Sequence, residues 1–279
     1  MRNILLVFLF ISFGLGCCAQ QKEKLKGSRI VSSERKEIGN FENIEVQDNI
    51  EIFLSSGDEC GLEIEADDNL HDAINIDLTA GTLRLSLNRE ITGAKKLSLK
   101  LTFTDDLKMV IAKEDSRVTA LTDMVLGNLT IKASGNAKFY STIKAVLFTL
   151  MANDKSHTEL NLTSENATIE LSKNSQLKAL ISTPKLKFDM YQKTSANIEG
   201  DAFDLKLRLD NNSNFTGKNL TAKTAAIVME GNSNVSLIVT TSAVIEASGK
   251  SEIELYGDQK IELKKFTDNA SLRKKPLKT

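Results

Sequence analysis

Residues 150–177 read LMANDKSHTELNLTSENATIELSKNSQL, and one pattern passes through them twice. Ser156 and Ser175 stand 19 positions apart. Six residues before them lie Leu150 and Ile169, four before lie Ala152 and Leu171, and two after lie Thr158 and Leu177. Alternation with a period of two on both sides of a small residue describes two short strands, each with one buried face, joined at a bend.

The pattern extends in both directions. Small anchors recur every 18–21 residues at Ser116, Ala137, Ser156, Ser175, Thr194, Ser213, Ser233 and Ser251. The position six before each anchor is always apolar, from Val110 and Ile131 to Ile227 and Ile245, and so is the position four before it. Turn formers precede the anchors, as in Ser134-Gly135-Asn136, Asp210-Asn211-Asn212 and Ser248-Gly249-Lys250, because Gly and Asn tolerate the left-handed backbone of a sharp bend. A less regular third segment closes each unit, with apolar residues such as Ile143, Leu162 and Ile181.

A unit of this length buries its apolar face only by stacking on its neighbours. The expected fold is therefore all-β: a β-helix, or solenoid, of about eight coils over 107–258, with right-handed winding the commoner form. Helical repeats share the period but lack a two-fold alternation. The Ser/Thr ladder of Ser116, Ser156, Ser175, Thr194, Ser213, Ser233 and Ser251 reads as structural, since small hydroxyls fit a bend and bond nearby backbone. No base recurs beside it to make any serine a nucleophile.

Residues 38–106 alternate without following the repeat, as in Ile50-Ile52-Leu54, Leu83-Leu85-Leu87 and Leu97-Leu99-Leu101. They are expected as early coils or hairpins capping the stack, because an open solenoid end exposes unpaired strand edges. Residues 259–279 hold seven Lys/Arg against Glu262 and Asp268 and read as a solvated basic tail that discourages edge pairing; contact with anionic lipid or glycan is the sharper reading.

At the other end, Arg2, the apolar run Ile4–Leu15 and the small residues Gly16 to Ala19 form an export signal, 1–19, too short to span a bilayer. Two processing routes are open: acylation at Cys17 or Cys18, or cleavage after Ala19. Residues 20–37, beginning QQKEKLKG, would then be a polar tether. Export places the chain on the cell surface, as an outer-membrane lipoprotein, or in the periplasm. The membrane would be met only through the lipid anchor.

Composition excludes several classes of function. Without Arg2 the chain has 35 basic and 37 acidic residues, no footprint for nucleic acid. Cys60 alone is left beyond the signal, so no internal disulfide forms. His71 and His157 are far apart, and no zinc or calcium spacing occurs. No cofactor is expected. The candidate acids are Asp105-Asp106, Glu114-Asp115, Asp154 and Asp210; three of these sites fall in bends of non-adjacent coils, and the first marks a turn. The outward column after the anchors, Arg117, Lys138, His157, Gln176, Ser195, Asn214, Asn234 and Glu252, drifts from basic to acidic. Its amides and hydroxyls could bind glycan, although aromatic platforms are few: no Trp and three Tyr.

Three features resemble the autotransporter-adhesin head GIN domain family of Bacteroidetes-type Gram-negative bacteria. They are Gly39-Asn40-Phe41-Glu42-Asn43-Ile44-Glu45-Val46; Asp67-Asp68-Asn69-Leu70 followed by Gly81-Thr82-Leu83-Arg84-Leu85; and the coils with Ser-Gly turns. The resemblance spans roughly 39–258 and implies an exported β-helical protein without established catalytic activity. Glu114, Lys173 and Gln192 stand where that pattern favours glycine, which puts the regularity of those bends in question. The reading is a non-enzymatic, adhesin-like binding protein of the cell envelope with a glycan or surface-protein ligand. Its rivals are a polysaccharide lyase- or hydrolase-like enzyme and a purely structural envelope protein.

Overall fold

The computed structural model describes residues 22–277. The expected signal, with Cys17 and Cys18, lies outside the described residues. The strands in chain order begin with β1 (Lys24–Lys26), β2 (Val31–Lys36), β3 (Asn43–Val46), β4 (Glu51–Ser56) and β5 (Gly61–Asp67). After one 3-10 turn, Asp68–Ala73, come β6 (Ile74–Thr79), β7 (Thr82–Leu87), β8 (Glu90–Thr92) and β9 (Leu97–Phe103). The solenoid proper holds β10 (Met109–Ala112), β11 (Arg117–Ala120), β12 (Met124–Ala133), β13 (Lys138–Ala152), β14 (His157–Leu171), β15 (Gln176–Met190) and β16 (Ser195–Leu209). It ends with β17 (Asn214–Met229), β18 (Asn234–Ala247), β19 (Glu252–Tyr256), β20 (Lys260–Phe266) and β21 (Ser271–Lys275).

From β10 to β21 the chain winds about nine parallel turns; the pairings from β13 to β16 keep one register throughout, and local shifts interrupt those of β16 with β17, β17 with β18 and β18 with β20. Each long strand serves two faces. In β14 the buried positions alternate up to Ser164, then change phase across the outward pair Glu165–Asn166, so the strand bends and buries both halves. The position six before each anchor becomes a continuous interior ladder: Val110, Ile131, Leu150, Ile169, Phe188, Leu207, Ile227 and Ile245, all at most 1% exposed. Phe188 and Phe215 meet edge to face with centroids 5.2 Å apart. Cumulative burial, with no disulfide among the described residues, holds the rod together.

The bends are more regular than their sequences. The residue two before every anchor has a left-handed backbone: Glu114 (φ 56°), Gly135 (72°), Asp154 (58°), Lys173 (56°), Gln192 (59°), Asn211 (51°), Gly231 (73°) and Gly249 (75°). The departures from glycine at Glu114, Lys173 and Gln192 therefore leave the bend intact, at a cost in backbone strain. The ladder also runs one coil further each way, through Asp48 (φ 62°) and Asp268 (φ 62°), where the anchors are Ile50 and Ala270 instead of serine.

The N-terminal third is not stacked in chain order. β3 and β4 form one coil lying between β10–β11 on one side and β7 and β9 on the other. Residues 38–106 are thus partly solenoid. The true cap is antiparallel: β5 pairs with β9, β6 with β7, and β2 with β5. Asp67 pins this end. Its buried carboxylate accepts the backbone N–H groups of Arg29 (2.8 Å), Lys95 (3.1 Å) and Lys96 (3.0 Å).

Two flanking segments differ from expectation. Residues 20–37, read as a tether, supply β1, paired with β8, and β2, the charged outer edge of the cap. Residues 259–279, read as a tail, supply β20 and β21, which stack on β18 and β19 as the ninth coil. Lysine-rich composition hid the inward alternation of Ile261, Leu263 and Phe266.

Candidate binding face

The anchor residues reach no solvent: Ser116, Ser156, Ser175, Thr194, Ser213, Ser233 and Ser251 are 0–1% exposed. Ser213, Ser233 and Ser251 each donate to the carbonyl three residues earlier (2.6–3.1 Å), Ser175 donates to the Ala152 carbonyl, and Thr194 donates to Ser213 Oγ. The hydroxyls of Ser116 and Ser156 have no hydrogen-bond partner among the described residues. The candidate acids serve the bends as well. Glu114 accepts the Asp48 N–H, Asp115 accepts the Asn136 amide, and Asp154 accepts the Gly135 N–H while pairing with Lys173 (2.8 Å). That lysine, with the Gly135 N–H, holds the Asp154 carboxyl below the usual aspartate range. Asp105-Asp106 form a turn. Among the described residues, no group of three His, Cys, Asp or Glu could hold a metal ion.

The exposed face formed by the first halves of the long strands is different. Arg117, Lys138, His157, Gln176, Ser195, Asn214, Asn234 and Glu252 stand in one register column. Two residues further along, Tyr140, Glu159 and Lys178 form a second column; after them come Thr142, Asn161, Leu180 and Glu199. Four coils thereby line an open groove of about 580 Å³ whose floor mixes a phenol, an amide, an amine, two carboxylates and the half-exposed Leu180.

Charge and ring geometry organise its upper end. The Arg117 guanidinium lies 5.5 Å from the centre of the Tyr140 ring and 3.8 Å from Glu51. The rings of Tyr140 and His157 are 6.2 Å apart and tilted, and His157 Nε2 is 3.0 Å from Glu159 Oε1. The hydrogen bond from His157 holds the Glu159 carboxyl below the usual glutamate range. The groove presents hydrogen-bonding side chains and one aromatic ring to solvent.

The second halves of the strands line another shallow hollow of about 510 Å³, with Lys185, Lys187 and Lys206 around Ala226 and Val244. There Lys187 is raised above the usual lysine range by its bond to Asp189 (3.0 Å). The bend between faces exposes Phe203, half open to solvent, with Lys223 Nζ 4.2 Å from its ring centre. The sequence patterns alone do not mark Tyr140, Leu180 and Phe203 as site residues. A signal existed: Tyr140 and Leu180 fall at outward positions of the repeat frame.

A family model described as "Putative auto-transporter adhesin, head GIN domain" matches residues 40–179 and 147–258. Among solved structures, a putative adhesin from Parabacteroides distasonis superposes with a TM-score of 0.71 at 17% identity, covering 90% of this chain and all of that one. A putative adhesin from Parabacteroides merdae gives 0.69 at 16%, over 90% and 99% of the two chains. A protein from P. distasonis named as a putative lipid-binding protein gives 0.54 at 14%, over 90% and 99%. At these identities the likeness is one of fold. No curated protein matches by sequence. Among the described residues no helix is long and apolar enough to cross a membrane.

Proposed function

We propose that this chain, which belongs to the head GIN domain family, is a non-enzymatic, exported binding protein of the cell envelope whose Tyr140 groove takes a glycan. One observation carries the reading. Four successive coils place Tyr140, Glu159, Asn161, Lys178 and Glu199 on one rigid strip, a spacing suited to an extended chain of hydroxylated rings. Tyr140 offers the ring face, and the amide and charged groups offer directional bonds on either side. The adhesin names of the family and of two related structures support a binding role. The export reading rests on Arg2 and Ile4–Leu15, with Cys17 and Cys18 as acylation candidates.

A glycan array followed by calorimetry tests this reading. Retained glycans should lose about two- to tenfold in affinity with Tyr140→Ala, the loss expected of one stacked ring. An array without hits, or hits that ignore Tyr140→Ala and Lys178→Glu, would reject the groove; hits on matrix proteins alone would replace the glycan with a protein ligand. Reducing or unsaturated ends released from acidic polysaccharides would instead establish an enzyme. Alkyne-fatty-acid labelling lost in the Cys17→Ser, Cys18→Ser variant would support the lipid anchor; no labelling would remove it.

A further inference from the structure

The packing demands of the fold are least satisfied at the last coil. Ile261, Leu263 and Phe266 continue the inward rows of Ala243, Ile245 and Ala247, which are at most 1% exposed. Leu263 is 49% and Phe266 36% exposed, because no strand among the described residues pairs with the free edges of β20 and β21. Leu277 adds a third open apolar side chain.

Charge is segregated on the same end. Residues 260–275 hold six Lys/Arg against two acidic residues, whereas residues 22–259 hold 28 basic against 35 acidic. Lys275 is bonded to Glu254 at 2.5 Å and Lys274 lies 3.7 Å from Asp258. Lys260, Lys264, Lys265 and Arg273 make no ion pair among the described residues, so four such cations share the last coil with the open apolar side chains. The rod is an acidic body with a cationic, greasy tip.

Three occupants can be compared. A second copy docked tip to tip would bring two cationic rims together. A soluble acidic polymer would satisfy the cations but leave Leu263 and Phe266 in water. An anionic bilayer satisfies both, since interfacial binding grows with inserted apolar area and with basic residues near the headgroups. We propose that the C-terminal tip docks end-on to an anionic phospholipid surface. Leu263 and Phe266 enter the headgroup boundary, Lys260, Lys264, Lys265 and Arg273 meet phosphates, and the acidic body is held off by repulsion. This proposal is independent of the Tyr140 groove and stands or falls separately.

The test uses the chain from Gln20 onward, which contains all the described strands and neither candidate acylation cysteine, with sedimenting vesicles of phosphatidylcholine alone or mixed with phosphatidylglycerol. Binding is expected on the mixed vesicles and should fall about tenfold or more on phosphatidylcholine alone or in high salt. Each basic residue near the surface is worth roughly fivefold, so Lys264→Glu with Lys265→Glu should weaken binding by about 25-fold or more. Leu263→Ser with Phe266→Ser should also weaken it, with an unchanged circular dichroism spectrum. Lys185→Glu with Lys187→Glu, on the side of the rod, should not. Absence of binding to the mixed vesicles, or equal loss from the side variant, overturns the proposal. So does binding to soluble polygalacturonate that equals vesicle binding and ignores the Leu263 and Phe266 changes.

Discussion

Replacing Gln192 by glycine should stabilise the protein, against the general rule that glycine inside a regular repeat weakens it. Gln192 holds φ at 59° in the bend between β15 and β16. A left-handed backbone costs an L-residue about 1–2 kcal/mol, and glycine removes that cost. Glycine also gains freedom in the unfolded chain, which takes back about 0.5–1 kcal/mol. The net gain is about 0.5–1 kcal/mol, or roughly 2 °C in midpoint for a chain of this size. Gln192 is the cleanest of the non-glycine sites, since Lys173 and Glu114 would also lose their bonds to Asp154 and to the Asp48 N–H. The reciprocal change is Gly249→Ala. There φ is 75° and the new Cβ would lie 2.5 Å from the Gly231 carbonyl oxygen, so strain and overlap together should cost about 2–4 kcal/mol. Urea unfolding followed by circular dichroism reads both, compared transition by transition if the coils melt in segments. A lower midpoint for Gln192→Gly with an unchanged native spectrum, or a neutral Gly249→Ala, would refute the strain argument.

Three further outcomes follow from the same structure. Ser156→Ala should be neutral or slightly stabilising, because its buried hydroxyl has no partner, whereas Ser213→Ala should cost about 1–2 kcal/mol by losing the bond to the Asp210 carbonyl; equal urea midpoints for the two would contradict the assignment. Phe188→Ala should cost about 3–5 kcal/mol by opening a cavity beside Phe215 at full burial, and a loss below about 1 kcal/mol would mean the coils collapse to fill it. Burial pushes the Asp67 carboxyl up, but the Lys95, Arg29 and Lys96 N–H groups outweigh it and hold the group below the usual aspartate range. A depressed folded value means that the stabilisation is complete above the unfolded value and lost as pH falls through the folded one. The stability gap between wild type and Asp67→Asn should therefore be flat above about pH 5 and close in acid below about pH 4; a gap independent of pH would show that the charge is immaterial.

The period of 19 between Ser156 and Ser175 determined the solenoid, because in a stacked array each residue touches its own equivalents one coil away. Sequence spacing is then contact spacing, and alternation states which side is buried. That rule made Val110 to Ile245 legible as one ladder and the serines legible as bend residues. It failed wherever stacking departs from chain order. No local signal in Ile44 or Ile52 tells that β3 and β4 lie between β7/β9 and β10/β11, since a strand's pleat is the same whichever neighbour it pairs with. At 259–275 the lysines obscured an inward row that only its pairing with β18 and β19 makes visible. The groove and the tip belong to the tertiary structure for a related reason. Tyr140, Asn161, Lys178 and Glu199 come from four different coils, and the exposure of Leu263 and Phe266 depends on what lies above them. Sequence reports the direction a side chain faces within its own strand; only the stacked backbone decides what stands beside it.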